Sequence, residues 1–425
     1  MVDKKNRRSF LKSSAMVGAL VSASPLGALH EAVERTTKPS MPSDLKITDV
    51  NCGFIRGGNG LFVKIETNQD IYGVGEGVDA TVGGYHIIKR RFARILKGKS
   101  PLNVHRLCED MRRAGVFGGG QSGAYVATLT AVESALWDLV GKALSLPVYQ
   151  LLGGKFRDKI RVYCDTALYQ NQLPGPKEFA DNALMAKDMG FTGIKFDLDQ
   201  RNDPSKYDRY NWTASPGELE RMYNQLAAAR EAVGPYIDIC ADMHGRYDTV
   251  TGEQVAKMIE PLNLMWLEEP IPAENIDAYK KITDSTSTPI CAGENIYLAH
   301  GFRKMLEQGA VDIIMPDLQK AGGLGEAQRI ANLANLYYVP FAPHMVASFL
   351  GAMASCHVCA SVPNFMILEW QIYFHTNPMF KEIVIYDEPQ IEDGFITVSD
   401  KPGIGVDINM EGLRKYATEG MPFFE

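Results

Sequence analysis

Three acidic residues stand at equal spacing in the second half of this 425-residue chain. Asp242, Glu268 and Glu294 are separated by 26 residues each, and each lies at the end of a short apolar run. Carboxylate oxygens are the ligands that hard divalent cations prefer, so three converging carboxylates suit such an ion. A single Asp after a strand is more often a helix N-cap. The ordered set indicates a metal site for Mg²⁺, with Mn²⁺ as the alternative.

Other ionisable residues follow the same apolar runs. The segment "ICADMHGRYDTV", residues 239–250, changes within a few positions from a strand-like run to charged residues. Burying many ionisable groups together is costly unless they bind a cation or transfer protons. The further candidates for catalysis or substrate binding are Lys195, Asp197, His244, Arg246, Asp317, Lys320, His344 and Glu369.

Eight apolar runs carry these residues, and segments with helical periodicity separate them. Continuous apolar strands that alternate with helices predict a parallel sheet covered by helices, and eight repeats favour a closed α/β barrel of the TIM type. The carboxyl ends of such strands meet at one mouth, where active sites are built. A doubly wound open sheet is the structural alternative. The runs are 160–166, 193–199, 237–244, 264–270, 289–295, 311–319, 339–345 and 365–370.

The chain outside the barrel has a different pattern. Residues 44–159 contain an alternating, hairpin-like segment with a turn at 68–70 and then a long helix, a short helix and a glycine stop. We therefore predict an N-terminal α+β capping domain over 44–159, joined by the C-terminal segment 386–425, and a barrel over 160–385. "CHVC" at 356–359 lacks a second Cys/His pair at zinc spacing, and we interpret it as a helix face.

The first 40 residues are excluded from the fold. Arg7 and Arg8 precede Ser9-Phe10-Leu11 and a short, weakly apolar run, which resembles a twin-arginine export signal followed by a linker. The run is too short and polar to span a bilayer. We expect a periplasmic protein without stable membrane association after export; a basic disordered tail is the alternative. The net charge of −7 without a basic block argues against nucleic acid as a partner.

Several motifs together resemble the enolase superfamily, mandelate racemase subgroup. They are "ALWDLVGKALSLPVYQLLGGKFRDKIRVY", Asp242, "WLEEP" with Glu268, "GEN" with Glu294, "MPDLQKAGG" and "APH" with His344. The resemblance implies a modified (β/α)7β barrel under an α+β capping domain, and Mg²⁺ at the three carboxylates. It also implies removal of the proton α to a carboxylate, which gives an enediolate.

The same resemblance implies roles for the remaining candidates. His344 is expected to be the base, with Asp317 as its orienting partner, although a structural histidine is the alternative. Lys195 and a protonated Glu369 are expected to donate hydrogen bonds to the developing charge. Lys320 is expected to bind substrate. Family members are usually oligomers, so we expect a homo-oligomer, either a dimer or an octamer.

Departures from the racemase pattern indicate the reaction. Racemases of the subgroup commonly carry Lys-x-Lys on the second strand, whereas this chain has Lys195-Phe196-Asp197. "DMHGR" resembles the Asp-x-His-Gly-Arg run of acid-sugar dehydratases such as the galactonate dehydratases, where the histidine acts as general acid. His244 would then protonate the leaving hydroxyl. Arg246 contacts either the substrate or a carboxylate of the wall.

We therefore predict a lyase that dehydrates an aldonate or aldarate to a 2-keto-3-deoxy acid. An alternative is a racemase, epimerase or cycloisomerase that uses His344 with Lys195 or Asp197. The non-enzyme alternative is a periplasmic sugar-acid binding protein. The capping-domain loops at 51–60 and 81–86, with "GGYH" and His86, are expected to select the small-molecule sugar acid.

Overall fold

The computed structural model describes residues 42–55, 60–80, 82–166, 173–208, 210–387 and 391–425. The predicted export signal and linker at 1–40 lie outside these ranges, as do residues 56–59 and 81 of the predicted substrate loops. Within the described ranges, no helix combines the length and the apolar character needed to cross a bilayer.

The N-terminal domain is a three-stranded antiparallel sheet with helices on it. Strands β1 (Ile47–Phe54), β2 (Leu61–Thr67) and β3 (Tyr72–Gly77) lie in this order, and the turn at 68–70 confirms the predicted hairpin. One of these helices packs closely on β3 because the strand contains glycines. A Cβ on Gly75 would lie 2.3 Å from the Ala131 carbonyl oxygen, which leaves no room for a side chain. The helices are α1 (Gly83–Ile87), α2 (Ala93–Leu96), α3 (Val104–Ala114), α4 (Gly123–Leu144) and α5 (Val148–Leu151), with a π-helical turn at Ile88–Phe92.

The second unit is a parallel barrel. Its strands are β4 (Lys159–Asp165), β5 (Gly193–Asp197), β6 (Asp238–Asp242), β7 (Trp266–Glu268), β8 (Ile290–Ala292), β9 (Ile313–Ile314) and β10 (Leu368–Gln371). Parallel bridges from Ile314 to Phe341 and from Phe341 to Phe365 supply the seventh position. Because β10 pairs in parallel with β4, the ring closes, and the predicted modified TIM barrel is confirmed over the open sheet.

Helices cover the barrel, as the periodic segments between the apolar runs predict. Ser215 caps the second barrel helix: its side chain accepts the Glu218 N–H at 3.1 Å, and the Glu218 carboxylate accepts the Ser215 N–H at 3.0 Å. The barrel helices are α6 (Pro176–Asp188), α7 (Pro216–Val233), α8 (Thr249–Met258), α9 (Ile276–Thr283), α10 (Leu298–Gln308), α11 (Leu324–Asn335) and α12 (Phe349–Ser361).

The C-terminal segment contacts both units. The Thr418 N–H donates to the Phe54 carbonyl at 3.0 Å, and the Phe424 N–H donates to the Cys52 carbonyl at 2.8 Å. Strand β12 pairs antiparallel with β4 of the barrel, which the sequence did not predict. The elements that follow β10 are α13 (Tyr373–Thr376), α14 (Met379–Glu382) and β11 (Val384–Ile385), and then, within the segment itself, β12 (Phe395–Thr397), β13 (Asp407–Ile408) and α15 (Met410–Lys415).

Buried ionisable residues join the capping domain to the barrel. Glu133 of α4 accepts the Leu324 and Gly325 N–H groups at 2.7 and 2.9 Å, which are the first donors of α11. Glu76 of β3 accepts the N–H groups of Ser348 and Gly351 at 3.0 and 3.2 Å, at the start of α12. A carboxylate suits these positions because the first N–H groups of a helix lack partners and carry partial positive charge.

Two further buried residues tie the C-terminal segment to the capping domain and to α12. We call the whole set the seam and define it by Glu76, Glu133, Asp138 and His357. Asp138 accepts the N–H groups of Val74 and Ile404, both at 2.9 Å. His357 of α12 accepts the Tyr149 N–H at 3.3 Å and donates to the Ile404 carbonyl at 3.1 Å. "CHVC" is therefore a buried helix face, as predicted.

Candidate active site

The three predicted metal ligands lie together at the carboxyl end of the barrel. Asp242 ends β6 and pairs in register with Glu268, the last residue of β7, while Glu294 lies two residues beyond β8. Parallel strands end at the same edge of the barrel, so residues that end consecutive strands lie close together in space. One carboxylate oxygen of each residue lies within 4.8 Å of the others, and all three residues are buried.

Lys195 of β5 lies among these carboxylates. Its Nζ is 2.9 Å from Glu268 Oε1, 3.0 Å from Glu369 Oε1 and 3.3 Å from Asp242 Oδ2. Burial opposes the charge of this side chain, but the surrounding carboxylates outweigh burial and raise the Lys195 pKa well above its ordinary value. Lys195 therefore remains a cation and a hydrogen-bond donor across the neutral pH range.

The electrostatics of the carboxylates suit a divalent cation. Burial, and then the like charge of Asp242, raise the Glu268 pKa well above its ordinary value. Burial opposes ionisation of the other two carboxylates, but His244 lowers the Asp242 pKa and His344 lowers the Glu294 pKa. A divalent cation bound by the three carboxylates would take over this charge compensation from the two histidines. The donors are all carboxylate oxygens, which fits a hard ion such as Mg²⁺ or Mn²⁺ better than a thiolate-binding metal.

His344 lies beside the carboxylates and is held from both ring nitrogens. Its Nδ1 is 2.8 Å from Asp317 Oδ2, and its Nε2 is 2.9 Å from Glu294 Oε2. Asp317 is fully buried, so the ring has a fixed orientation with Nε2 directed toward the cluster. Burial opposes the imidazolium form, but Glu294 and Glu369 raise the His344 pKa well above its ordinary value.

His244 forms a second histidine–carboxylate pair on another side of the cluster. Its Nδ1 lies 2.8 Å from Asp199 Oδ1, and its Nε2 lies 3.6 Å from Asp242 Oδ2. The backbone of His244 is left-handed, with φ of 48°, and its N–H donates to Asp242 Oδ1 at 2.7 Å. Burial opposes protonation, but Asp242 and Asp199 raise the His244 pKa to about 11.

Arg246 pairs with the other oxygen of Asp199. Of the two alternatives left open by the sequence, the structure therefore places Arg246 against a carboxylate of the wall. Its guanidinium shares Asp199 with the His244 ring, so the three side chains form one hydrogen-bonded group at the mouth.

Asp197 ends β5 beside His244 and carries a free acceptor. Asp197, Asp242 and His244 offer ligand atoms within 4.8 Å of one another. Asp197 is buried, and its Oδ2 has no hydrogen-bond partner among the described residues. Burial and the neighbouring Asp165 raise its pKa well above the ordinary value. A buried polar atom without a partner is costly, so Oδ2 is available for a hydrogen bond with a ligand, and the predicted substrate-binding role of Asp197 stays a prediction.

Glu369 of β10 completes the mouth opposite β6. Its Oε1 contacts Lys195, and its Oε2 accepts the Met345 N–H at 3.0 Å. Gln371, two residues further on, donates to Glu369 Oε1 at 3.1 Å. Burial raises the Glu369 pKa, although Lys195 opposes the shift.

The two remaining predicted substrate-binding residues differ in their placement. Lys320 is buried at the mouth, where its Nζ contacts Asp79 Oδ2 of the capping domain at 3.0 Å and Asn295 Oδ1 at 3.5 Å. His86 lies exposed on α1, in edge contact with Tyr85. Within the described ranges, no hydrogen bond or ion pair links His86 to the mouth, so its predicted role stays a prediction.

Sequence reasoning missed three residues of the mouth. Asp199 holds His244, and Asn295 donates to Glu294 Oε1 at 3.0 Å and to Glu269 Oε2 at 2.8 Å. Glu269 is buried and has a left-handed backbone, with φ of 34°. Each stands next to or two residues from a predicted site residue, so proximity in sequence to a strand end was the available signal.

Comparison with known proteins agrees with this geometry. Residues 178–412 match the family described as enolase C-terminal domain-like, and residues 49–153 match the mandelate racemase / muconate lactonizing enzyme N-terminal domain. The first match alone covers more than half of the chain. The chain belongs to the enolase superfamily. Its place in the mandelate racemase subgroup is thereby confirmed, as is the predicted architecture of a capping domain on a modified barrel.

Individual members of the superfamily are similar over most of this chain. A D-xylonate dehydratase from Haloferax volcanii is 35% identical, covering 93% of this chain and 94% of that protein. A D-galactonate dehydratase from Variovorax paradoxus is 32% identical, over 83% and 90%. A mandelate racemase/muconate lactonizing enzyme-like protein from Rubrobacter xylanophilus is 41% identical, with a TM-score of 0.84 over 90% and 100%. The predicted enzyme class, a lyase, is confirmed.

Proposed function

We propose that this enolase-superfamily member is a Mg²⁺-dependent dehydratase that converts an aldonate or aldarate to a 2-keto-3-deoxy acid. The observation that carries the proposal is the pair of histidines, each held at Nδ1 by a carboxylate at 2.8 Å and each directing Nε2 toward the cluster. Dehydration needs a base for the α-proton and an acid for the β-hydroxyl, and two such groups are present.

The first step removes the α-proton. His344 takes the proton at Nε2 in its neutral form, which becomes accessible when a bound cation offsets the charge of Glu294 that otherwise keeps the ring protonated. Asp317 keeps the ring in the orientation that presents Nε2 and stabilises the imidazolium that forms. The enediolate carries a second negative charge, which Lys195 meets as a hydrogen-bond donor. A divalent cation held by Asp242, Glu268 and Glu294 would neutralise part of that charge.

The second step expels the β-hydroxyl. Hydroxide is a poor leaving group, so His244 Nε2 supplies a proton and water departs. Asp199 holds the opposite nitrogen of the ring, and Arg246 fixes Asp199. The buried carboxylate of Asp199 therefore sets the orientation of His244. The resulting enol takes its keto form, which gives the 2-keto-3-deoxy product.

An epimerase is the second candidate, because Asp197 offers an unpartnered buried oxygen beside His244. An epimerase needs a base on each face of the α-carbon. Lys195 does not suit that role, since three carboxylates hold it protonated. Asp197 is therefore the base that this alternative requires.

A panel of aldonic and aldaric acids, including D-xylonate and D-galactonate, tests the proposal. We expect formation of a 2-keto-3-deoxy acid that stops on exhaustive chelation and returns with Mg²⁺, while Mn²⁺ is compared as the alternative ion. Inversion of the α-carbon without loss of water would favour the epimerase. Turnover that persists after chelation would contradict a metal-dependent reaction, and saturable binding without any turnover would favour a sugar-acid binding protein.

We also propose that the protein is exported to the periplasm and, separately, that it forms a homo-oligomer. The support for export is the sequence of Arg7 and Arg8 before Ser9-Phe10-Leu11. Substituting both arginines by lysine should retain the protein in the cytoplasm of its host, as measured by cell fractionation. Periplasmic recovery equal to that of the parent protein would show that this segment is not the signal. Light scattering should give the mass of a dimer or an octamer.

A further inference from the structure

A cleft of about 860 Å³ opens beside the mouth of the barrel. His244, Glu269 and Asn295 line one end of it. Asn295 donates to Glu294 at 3.0 Å, so one side chain lies between this end of the cleft and the metal-site carboxylates. The cleft then runs outward between the loops after β6, β7 and β8 and the capping domain, which contributes Gln121 and Ser122.

The position of the two histidines relative to the cleft indicates which end of the substrate's carbon chain enters it. His244, the acid for the β-carbon, lines the cleft, whereas His344, the base for the α-carbon, does not. A sugar acid bound with its α-carbon at His344 and its β-carbon at His244 therefore directs its fourth and later carbons into the cleft.

A large share of the cleft lining is apolar or aromatic, namely Trp212, Pro272, Ala273, Ile276, Ile296 and Tyr297. Trp212 is half exposed, on the loop that follows β5. Exposed aromatic faces pack against flat, partly apolar ligands, and a sugar ring presents C–H groups on its faces with hydroxyls at its edge.

The charges and the size of the cleft narrow the class of ligand. Arg112 forms hydrogen bonds with Glu109 at 2.8 and 2.9 Å, and Lys304 lies 3.6 Å from Asp277. His244, the third cation of the lining, is paired with Asp199 at 2.8 Å. Each cation of the lining thus has a carboxylate partner, which favours a neutral occupant. Pockets of about 300–1,000 Å³ hold drug-sized ligands, so this cleft has room for more than the end of a five- or six-carbon acid.

We propose that the substrate is a sugar acid that carries a neutral glycosyl unit at C4 or beyond, with the glycosyl ring packed on Trp212. This inference rests on the proposed dehydratase function. The reaction is unchanged: the C2 proton goes to His344, the C3 hydroxyl leaves as water with the proton from His244, and the enol becomes the ketone. The glycosidic bond stays intact, so the product is a glycosylated 2-keto-3-deoxy acid.

Paired substrates test this inference with the purified, Mg²⁺-loaded enzyme. Gluconate is compared with its 4-O-glycosylated forms, cellobionate, maltobionate and lactobionate, and xylonate is compared with xylobionate. We expect kcat/KM for at least one glycosylated acid to exceed that of its parent acid at least 10-fold. Trp212→Ala should reduce this ratio at least 10-fold. The matched control is Tyr236→Ala, an exposed aromatic outside the cleft lining, which should leave the ratio unchanged.

The outcomes separate this inference from the proposed function. If no acid loses water, the dehydratase function itself is wrong. If the parent acids turn over and every glycosylated acid is a poorer substrate, the inference is wrong and the dehydratase stands. If Trp212→Ala changes the sedimentation of the protein but not the substrate ratio, the cleft is an interface between copies of the chain, and the inference is also wrong.

Discussion

The mouth of the barrel and the seam bury the same kinds of ionisable residue, but they satisfy them differently. In the seam, backbone N–H groups point at each carboxylate: Glu133 receives two from the start of α11, and Asp138 receives those of Val74 and Ile404. In the mouth, Asp242, Glu268 and Glu294 face one another and are paired with side-chain cations: Lys195 contacts Asp242 and Glu268, and His344 contacts Glu294.

This difference distinguishes carboxylates that are buried for a structural role from carboxylates that are buried for catalysis or ligand binding. A buried carboxylate surrounded by fixed backbone donors has its hydrogen bonds satisfied by the fold, although burial raises the pKa of Glu76 and Glu133 to about 7. Buried carboxylates that converge on each other repel one another, and protons on the neighbouring histidines or a bound cation must offset that repulsion. Substitutions in the two regions should therefore have opposite effects on activity and stability.

The largest effect is expected in the mouth. Glu268→Gln removes one ligand and one repelling charge, so activity should fall on the order of 1,000-fold or more, because a bound metal supplies several kcal/mol of charge stabilisation. The metal-free variant should be as stable as the metal-free parent or more so. Calorimetric Mn²⁺ titration and thermal unfolding check the two parts. A variant that binds Mn²⁺ normally would remove Glu268 from the metal site.

The two histidines of the mouth should separate into two steps. His244→Asn should lower dehydration about 100-fold to 10,000-fold, the range for a general acid, while exchange of the α-proton with D2O continues. His344→Asn should stop both exchange and dehydration. Deuterium incorporation by NMR, together with product formation, is the measurement. Near-normal dehydration by His244→Asn would transfer the acid role to His344.

A substitution in the seam should lower the stability of the protein. Glu133→Gln replaces one acceptor by an N–H₂ group that faces the backbone donors of α11, which should lower the free energy of unfolding by about 1–3 kcal/mol. Urea denaturation measures the loss. Glu231→Gln, at an exposed position of α7, is the matched control and should leave stability unchanged. A stable Glu133→Gln variant would mean that the helix donors of α11 do not need the carboxylate.

The histidine of the seam predicts the smallest effect, a dependence of stability on pH. Burial lowers the His357 pKa to about 4, so the unfolded chain, with a histidine pKa of about 6.5, binds the proton first. Its contribution is complete above pH 6.5 and is lost as the pH falls toward 4. Between pH 7 and pH 5 the parent should lose about 2 kcal/mol relative to His357→Gln. Parallel unfolding curves at the two pH values would contradict this.

Much of the fold followed from the sequence because barrel strands are buried on both faces. Such strands read as continuous apolar runs, and all eight predicted runs contain a strand or bridge of the barrel. The pairing of β12 with β4 did not follow. Residues 395–397 are short, and their burial alternates, so nothing in their pattern names the partner strand.

The site residues that end barrel strands could be predicted from the sequence. Those whose positions depend on the path of a loop could not. Asp242, Glu268 and Glu294 end consecutive strands, so spacing alone placed them together. Asp199 was not identified because the chain must turn after Asp197 before it can reach His244. The partner of Arg246 stayed undecided for the same reason, since two loops from different strands determine it.

The helix donors that Glu76 and Glu133 satisfy belong to α12 and α11, the helices that follow His344 and Asp317 in the chain. The contact at Gly323 is so close that a Cβ there would lie 2.2 Å from Glu133 Oε2, in a backbone with φ of +106°. The capping domain is therefore not an interchangeable module. A chimera that exchanges this domain to obtain a new specificity must also transfer both glutamates and keep that glycine, or it will disturb the base together with its orienting partner.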